Sequence, residues 1–169
     1  FDAILEHLEA AGEWSLARAQ PGKIILGQLG GIETGLRQLI RNRPLEVEIA
    51  DIDGAELVVP TIEEALRIRA WLAVTRNQTR DYVDIAALSD RLGIDEAGAV
   101  LRAIDDYYAD VNDRPDPVAT QVARQLADPR PRDERTTHEL ANYKGLNERW
   151  QDWRAIRAQL LAVAEAMLG

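Results

Sequence analysis

The feature that most constrains the fold is a change of hydrophobic period at Pro60. Before it, between Trp14 and Val59, apolar residues come in short runs broken by glycines, and Leu45, Val47 and Ile49 alternate with Glu46 and Glu48. Alternation with a period of two places successive side chains on opposite faces of a strand. A further strand is expected over residues 23–29, after the Pro21-Gly22 turn. Asp53-Gly54 is the dipeptide of a tight hairpin, so residues 45–50 should pair with 56–59. Beyond Pro60 the apolar residues recur at three- and four-residue steps, the spacing of one helix face. The expected class is α+β: a small, mostly antiparallel sheet in residues 1–60, then a C-terminal helical bundle in residues 61–169.

Capping and breaking residues place the helices. Residues 1–11 set Phe1, Ile4, Leu5 and Leu8 on one face, and Gly12 ends the run. Thr61 followed by Glu64 has the spacing of a capping box and opens a helix reaching about Val74. Thr79 stands where a cap would start a helix over 80–92, which Gly93 closes. Further helices are expected over 95–108 and 118–126. The clearest runs over 146–168, carrying Trp150, Trp153, Ile156, Leu160, Val163 and Met167 on one side. Residues 32–40 fit either a strand or a helix.

Composition removes several kinds of chemistry. A chain of 169 residues buries enough surface to fold without a covalent staple. With no cysteine, a disulfide scaffold, a zinc–thiolate site, an iron–sulfur cluster and a cysteine nucleophile are all excluded. The two histidines, His7 and His138, are too distant in sequence to match a metal-ligand spacing. No apolar run has the length of a bilayer span. The net charge of −9 divides into −5 over residues 1–60, −5 over 61–120 and +1 over 121–169. A surface that grips nucleic acid all round is therefore not expected, and only the C-terminal part is near neutral.

Residues 63–88 carry the densest set of chemically able side chains. If helical turns run straight through, Arg69, Arg76 and Arg80 lie within about 40° of one another around the axis, with Asp84 four residues beyond Arg80. Three guanidiniums so placed could fork onto phosphate oxygens. The same spacing equally suits an internal ion-pair net that pins one helix to the next.

The pattern Glu63, Glu64, Arg69, Arg76, Arg80, Asp81, Asp84, Ile85, with R-x-x-x-R-D-x-x-D after P-T-x-E-E, resembles the second half of the AbiE-type nucleotidyltransferase toxins. These belong to bacterial toxin–antitoxin and phage-defence pairs and have a polymerase-β-like palm. The resemblance spans roughly residues 40–92 and implies a cytoplasmic enzyme with no membrane partner. Such an enzyme would move a nucleotide from an NTP to an RNA, such as the 3′ end of tRNA, with Mg²⁺, and be held by a cognate antitoxin. It would make Arg69, Arg76 and Arg80 nucleotide-binding and Asp81 and Asp84 catalytic; Glu46 and Glu48, on one strand face, would bind metal. The family's D-x-D metal pair does not follow Gly30-Gly31, and Asp51-Ile52-Asp53 falls at the expected hairpin tip. On this reading that pair lies ahead of Phe1, and the palm is incomplete. Two rival readings stand beside it: an inactive or truncated relative acting as a binding or regulatory module, and a helical interaction domain whose Arg/Asp set is structural.

Overall fold

A computed structural model describes residues 1–38, 41–143 and 145–169. They form an α+β protein with small antiparallel sheets followed by a helical C-terminal region. The chain divides into two compact units, Phe1–Ile40 and Arg41–Gly169, and the change of period at Pro60 lies inside the second.

The first unit opens with α1 (Asp2–Ala10), after which Gly12 takes φ +76°. Three strands follow, β1 (Trp14–Gln20), β2 (Ile24–Leu29) and β3 (Ile32–Arg37), in the antiparallel order β1-β2-β3. The stretch that fitted strand or helix is thus a strand; its last two residues, 39 and 40, lie outside the described residues. Among the described residues of this unit, Trp14 of β1 and Ile25 of β2 are the buried apolar side chains. Gly27 makes room for the indole: a Cβ there would stand 2.4 Å from Trp14 Cζ2.

The second unit begins with a hairpin, β4 (Val47–Ile52) and β5 (Ala55–Pro60), in which Ile49 faces Val58 and Asp51 faces Glu56. Its two-residue turn puts Asp53 at φ 53° and Gly54 at φ 83°, the left-handed pair that the Asp-Gly dipeptide favours. The helices are α2 (Ile62–Thr75), α3 (Thr79–Leu92), α4 (Ile94–Arg102), α5 (Asp105–Tyr108), α6 (Val118–Ala127) and α7 (Trp153–Leu168). They share one core, in which Leu66, Tyr82, Ile85, Leu101, Ile104, Leu126, Ile156 and Leu160 are wholly buried. α4 and α7 touch at Gly98, where a Cβ would lie 2.6 Å from Ala166 Cβ and 2.9 Å from its carbonyl carbon.

Two expected helices are broken. The span 95–108 divides into α4 and α5, because the chain turns at Ala103 and Ile104. The span 146–168 begins with a short 3₁₀ turn, Glu148–Gln151, and α7 starts only after Asp152, whose carboxylate accepts from Arg154 N at 2.9 Å. Apolar spacing continued through both breaks, since a turn between helices can keep its side chains on the core side. The caps differ too. Thr61 Oγ1 accepts from Glu64 N at 3.2 Å, which is half a capping box. The Glu64 carboxylate does not return the bond; it pairs with Arg41 instead. Thr79 is the first residue of α3 rather than its cap, and its N–H and hydroxyl both donate to Asp133.

Candidate functional site

Arg69, Arg76, Arg80, Asp81 and Asp84 do come together, at the joint between α2 and α3. The joint is sharp because Asn77 adopts φ 54° and ties itself to the connector 128–132: its amide donates to Arg130 O, and its carbonyl accepts from Arg132 N, both at 2.8 Å. This turn brings Arg76 onto Asp81 in a two-pronged pair, Nε to Oδ2 at 2.7 Å and Nη2 to Oδ1 at 2.6 Å. Arg69 reaches from two turns earlier in α2, with Nη1 3.6 Å from Asp81 and Nε 3.1 Å from Asp84. Arg80 lies at the rim, two-thirds exposed and 3.9 Å from Asp84.

The environments differ across these few residues. The Asp81 side chain is fully buried, whereas those of Arg69, Arg76 and Asp84 are about a third exposed. The hydrogen bonds to Asp81 push the Arg76 guanidinium above its ordinary value, against the pull of burial. Burial pushes the Asp84 carboxyl up, against the guanidiniums of Arg69 and Arg80. Arg69 and Arg76 therefore face carboxylates of the following helix, which is the geometry of a clamp between α2 and α3, while Arg80 pairs with Asp84 within α3.

A second polar cluster joins the hairpin to the bundle, through contacts between residues far apart in the sequence. Both nitrogens of the Arg67 fork donate to Glu46 Oε2, at 3.1 and 2.6 Å, and the Tyr107 hydroxyl donates to Glu46 Oε1 at 2.5 Å. Deeper, Arg41 Nη2 lies 2.6 Å from Glu64 Oε1, with both side chains wholly buried. Aromatic faces complete the box: the Arg43 and Arg67 guanidinium carbons each stand 3.9 Å from the Tyr107 centroid. Arg41 stands 4.9 Å from Tyr108, whose ring stacks on Trp71. The Tyr107 hydrogen bond and the neighbouring arginines hold the Glu46 carboxyl below its usual range, while burial raises the Tyr108 phenol to about 12. A clue was present in the sequence. Glu64 and Arg67 share the phase of Ala70 and Val74, so two charges sit on the inward stripe of α2.

Glu46 precedes β4 and Glu48 lies exposed within it. Both oxygens of Glu46 are already engaged, by two cationic N–H groups and a phenol, among three arginines. That donor set does not fit a magnesium ion, which asks for free, net-negative oxygen ligands. Among the described residues no three acidic or imidazole side chains converge on a point that could hold a metal ion. Asp51-Ile52-Asp53 lies at the hairpin tip, where Asp51 Oδ1 accepts from Gly54 N at 3.0 Å. Trp150 is buried in the core, and Trp153 meets Tyr82 edge-on at 6.1 Å.

Comparison with known proteins points away from nucleotide transfer. The chain is 37% identical over 129 residues to the "Mycolic acid-containing lipids exporter MmpL11" of Mycolicibacterium smegmatis. That match covers 76% of this chain and 13% of the exporter. It is 34% identical over 147 residues to the "Heme uptake protein MmpL11" of Mycobacterium tuberculosis, covering 83% of this chain and 14% of that protein. To the "Probable transport protein MmpL11" of Mycobacterium leprae it is 36% identical over 115 residues, covering 68% and 11%. The chain thus spans about one-eighth of the length of these relatives. No protein-family profile and no solved structure matches it.

These likenesses overturn the AbiE-type resemblance, and with it the nucleotidyltransferase toxin and its NTP, tRNA and antitoxin partners. They also overturn the cytoplasmic location and the absence of a membrane connection, since export, uptake and transport are carried out at a membrane. The R-x-x-x-R-D-x-x-D spacing misled for a physical reason. Residues four and five apart across a helix–turn–helix joint are those that can form a clamp such as Arg76–Asp81. Among the described residues no helix is long and apolar enough to cross a membrane.

Proposed function

We propose that this chain corresponds to a non-spanning accessory module of a membrane transport protein of the MmpL11 type. The observation that carries this reading is 37% identity across 76% of the chain, matched to only 13% of the M. smegmatis exporter. A segment of that size with its own buried core has the anatomy of a domain attached to a larger machine. The absence of a spanning helix among the described residues accords with a part that stands beside the membrane-crossing portion. The Arg/Asp clamp and the Arg41–Glu64 box give the module a rigid frame.

The test is a segment exchange in the M. smegmatis exporter. The matched 129-residue stretch is deleted or replaced by its counterpart from this chain, and export of mycolic acid-containing lipids is measured. Deletion should abolish export and replacement should restore it. If the replaced protein reaches the membrane at normal abundance yet exports no more than the deletion, the reading is wrong.

A further inference from the structure

The β4–β5 hairpin carries features that nothing within its own unit resolves. Ile49 and Val58 face each other across the ladder and are 69% and 71% exposed. Val47 and Pro60, the next pair on the same face, are also exposed, so four apolar side chains form one contiguous patch. A two-stranded ribbon with an uncovered apolar face is marginal in water, and a third strand is the usual remedy. The outer edge of β4 is unpaired among the described residues, and each of its residues carries an N–H. The β5 edge ends in Pro60, which has none.

Charge says what kind of strand would fit. From residue 45 to residue 60 the sequence holds Glu46, Glu48, Asp51, Asp53 and Glu56 and no basic residue. Only Glu46 is paired, with Arg67 and Arg43; among the described residues no cation lies within 4.0 Å of the other four. Asp51 and Glu56 stand opposite one another on the face that bears Ile49 and Val58. Like charges directly opposed destabilise a ribbon, and a cation placed between them removes the penalty. The apolar pair and the acidic pair are two residues apart along each strand, about 7 Å. An added strand offers the same repeat, with an aliphatic side chain at one position and a basic one two residues on.

We propose that the β4 edge is a docking strand for an extended segment of a partner protein in which an aliphatic residue is followed two positions on, and so on the same face, by Lys or Arg. Main-chain ladder bonds would hold it, and the Ile49/Val58 patch with the Asp51/Glu56 pair would select it. A second copy of the hairpin is a poor occupant because it would bring acid onto acid. An anionic lipid surface is disfavoured for the same reason. This inference stands whether or not the transport reading holds.

The experiment uses the whole chain and two labelled peptides, Thr-Val-Thr-Ile-Thr-Lys-Thr, which sets Val, Ile and Lys on one face, and the same sequence with Glu for Lys, followed by fluorescence anisotropy. The Lys peptide should bind saturably and slow amide exchange in residues 47–52, and the Glu peptide should not bind. Ile49→Ser with Val58→Ser should weaken binding at least tenfold, and Asp51→Lys with Glu56→Lys should reverse the preference between peptides. Both pairs are exposed, so unchanged helical melting shows that the variants remain folded. The proposal fails if the apolar variant binds undiminished, or if charge reversal leaves the preference unaltered. It also fails if the outward-facing β4 amides, those not bonded to β5, are already protected in the free monomer. Coverage of the hairpin by self-association, or by anionic vesicles in place of the Lys peptide, equally overturns it.

Discussion

Arg76 and Asp81 are joined by two hydrogen bonds of 2.7 and 2.6 Å, the guanidinium a third exposed and the carboxylate wholly buried. Five residues apart, they belong to different helices, and the pair fixes the angle at which α3 leaves α2. Removing one partner of such a pair exposes the asymmetry of buried charge: the survivor keeps its desolvation penalty and loses its compensation. Discounted for the solvent that reaches Arg76, Arg76→Ala should cost about 2–3 kcal/mol, read as a lower melting temperature. Adding Asp81→Ala should recover part of that loss, and the double-mutant cycle measures the coupling.

The Arg41–Glu64 pair is more deeply set, with both side chains out of reach of water. Glu64→Ala should destabilise by about 3–5 kcal/mol, because Arg41 is then an unpaired charge. Arg41→Met with Glu64→Leu should lose far less, or nothing, since apolar groups of similar volume need no partner. Urea unfolding of the three proteins checks the ordering, and a double variant as unstable as Glu64→Ala would refute it.

Two carboxyls should give opposite pH signatures. Glu46 is held below its ordinary value of 4.5, so its contribution is fully present above that value and is lost as pH falls through the lower folded one. Asp84 is raised above 3.8 by burial, so the native state binds the extra proton and stability declines as pH rises from 3.8 through its folded value. Glu46→Gln should therefore flatten the acid-side loss of stability, and Asp84→Asn should remove a decline just above it. The check is the urea midpoint followed between pH 2 and 7.

At high pH the Tyr108 phenol, raised by burial from 10.0 to about 12, stays protonated in the folded chain while the unfolded chain ionises. Stability should fall between those two values. Tyr108→Phe should reduce the slope there without abolishing it, because Tyr82 is raised in the same direction by burial.

Gly98 tests the contact between α4 and α7. Gly98→Ala would put a methyl group 2.6 Å from Ala166 Cβ and 2.9 Å from backbone, so the helices must part. The improved helix propensity of alanine, roughly 1 kcal/mol, should be outweighed by overpacking of about 1–3 kcal/mol. A higher melting temperature for this variant would show that α4 can give way.

What the sequence determined alone is local. Alternation in residues 45–49, the left-handed Asp53-Gly54 turn, the Thr61 cap and the Gly93 stop each depend on contacts within a few residues. The arginine and aspartate set at the α2–α3 joint was equally legible as residues, because its members lie close along the chain. Tertiary structure decided what those residues face. The resemblance read them as a nucleotide site, whereas the turn at Asn77 folds Arg76 back onto Asp81. Glu46 meets Arg67 across 21 positions and Tyr107 across 61, and no spacing rule encodes such a meeting. Those pairings exist only once the bundle has excluded water, because the low dielectric inside makes every buried charge find a partner.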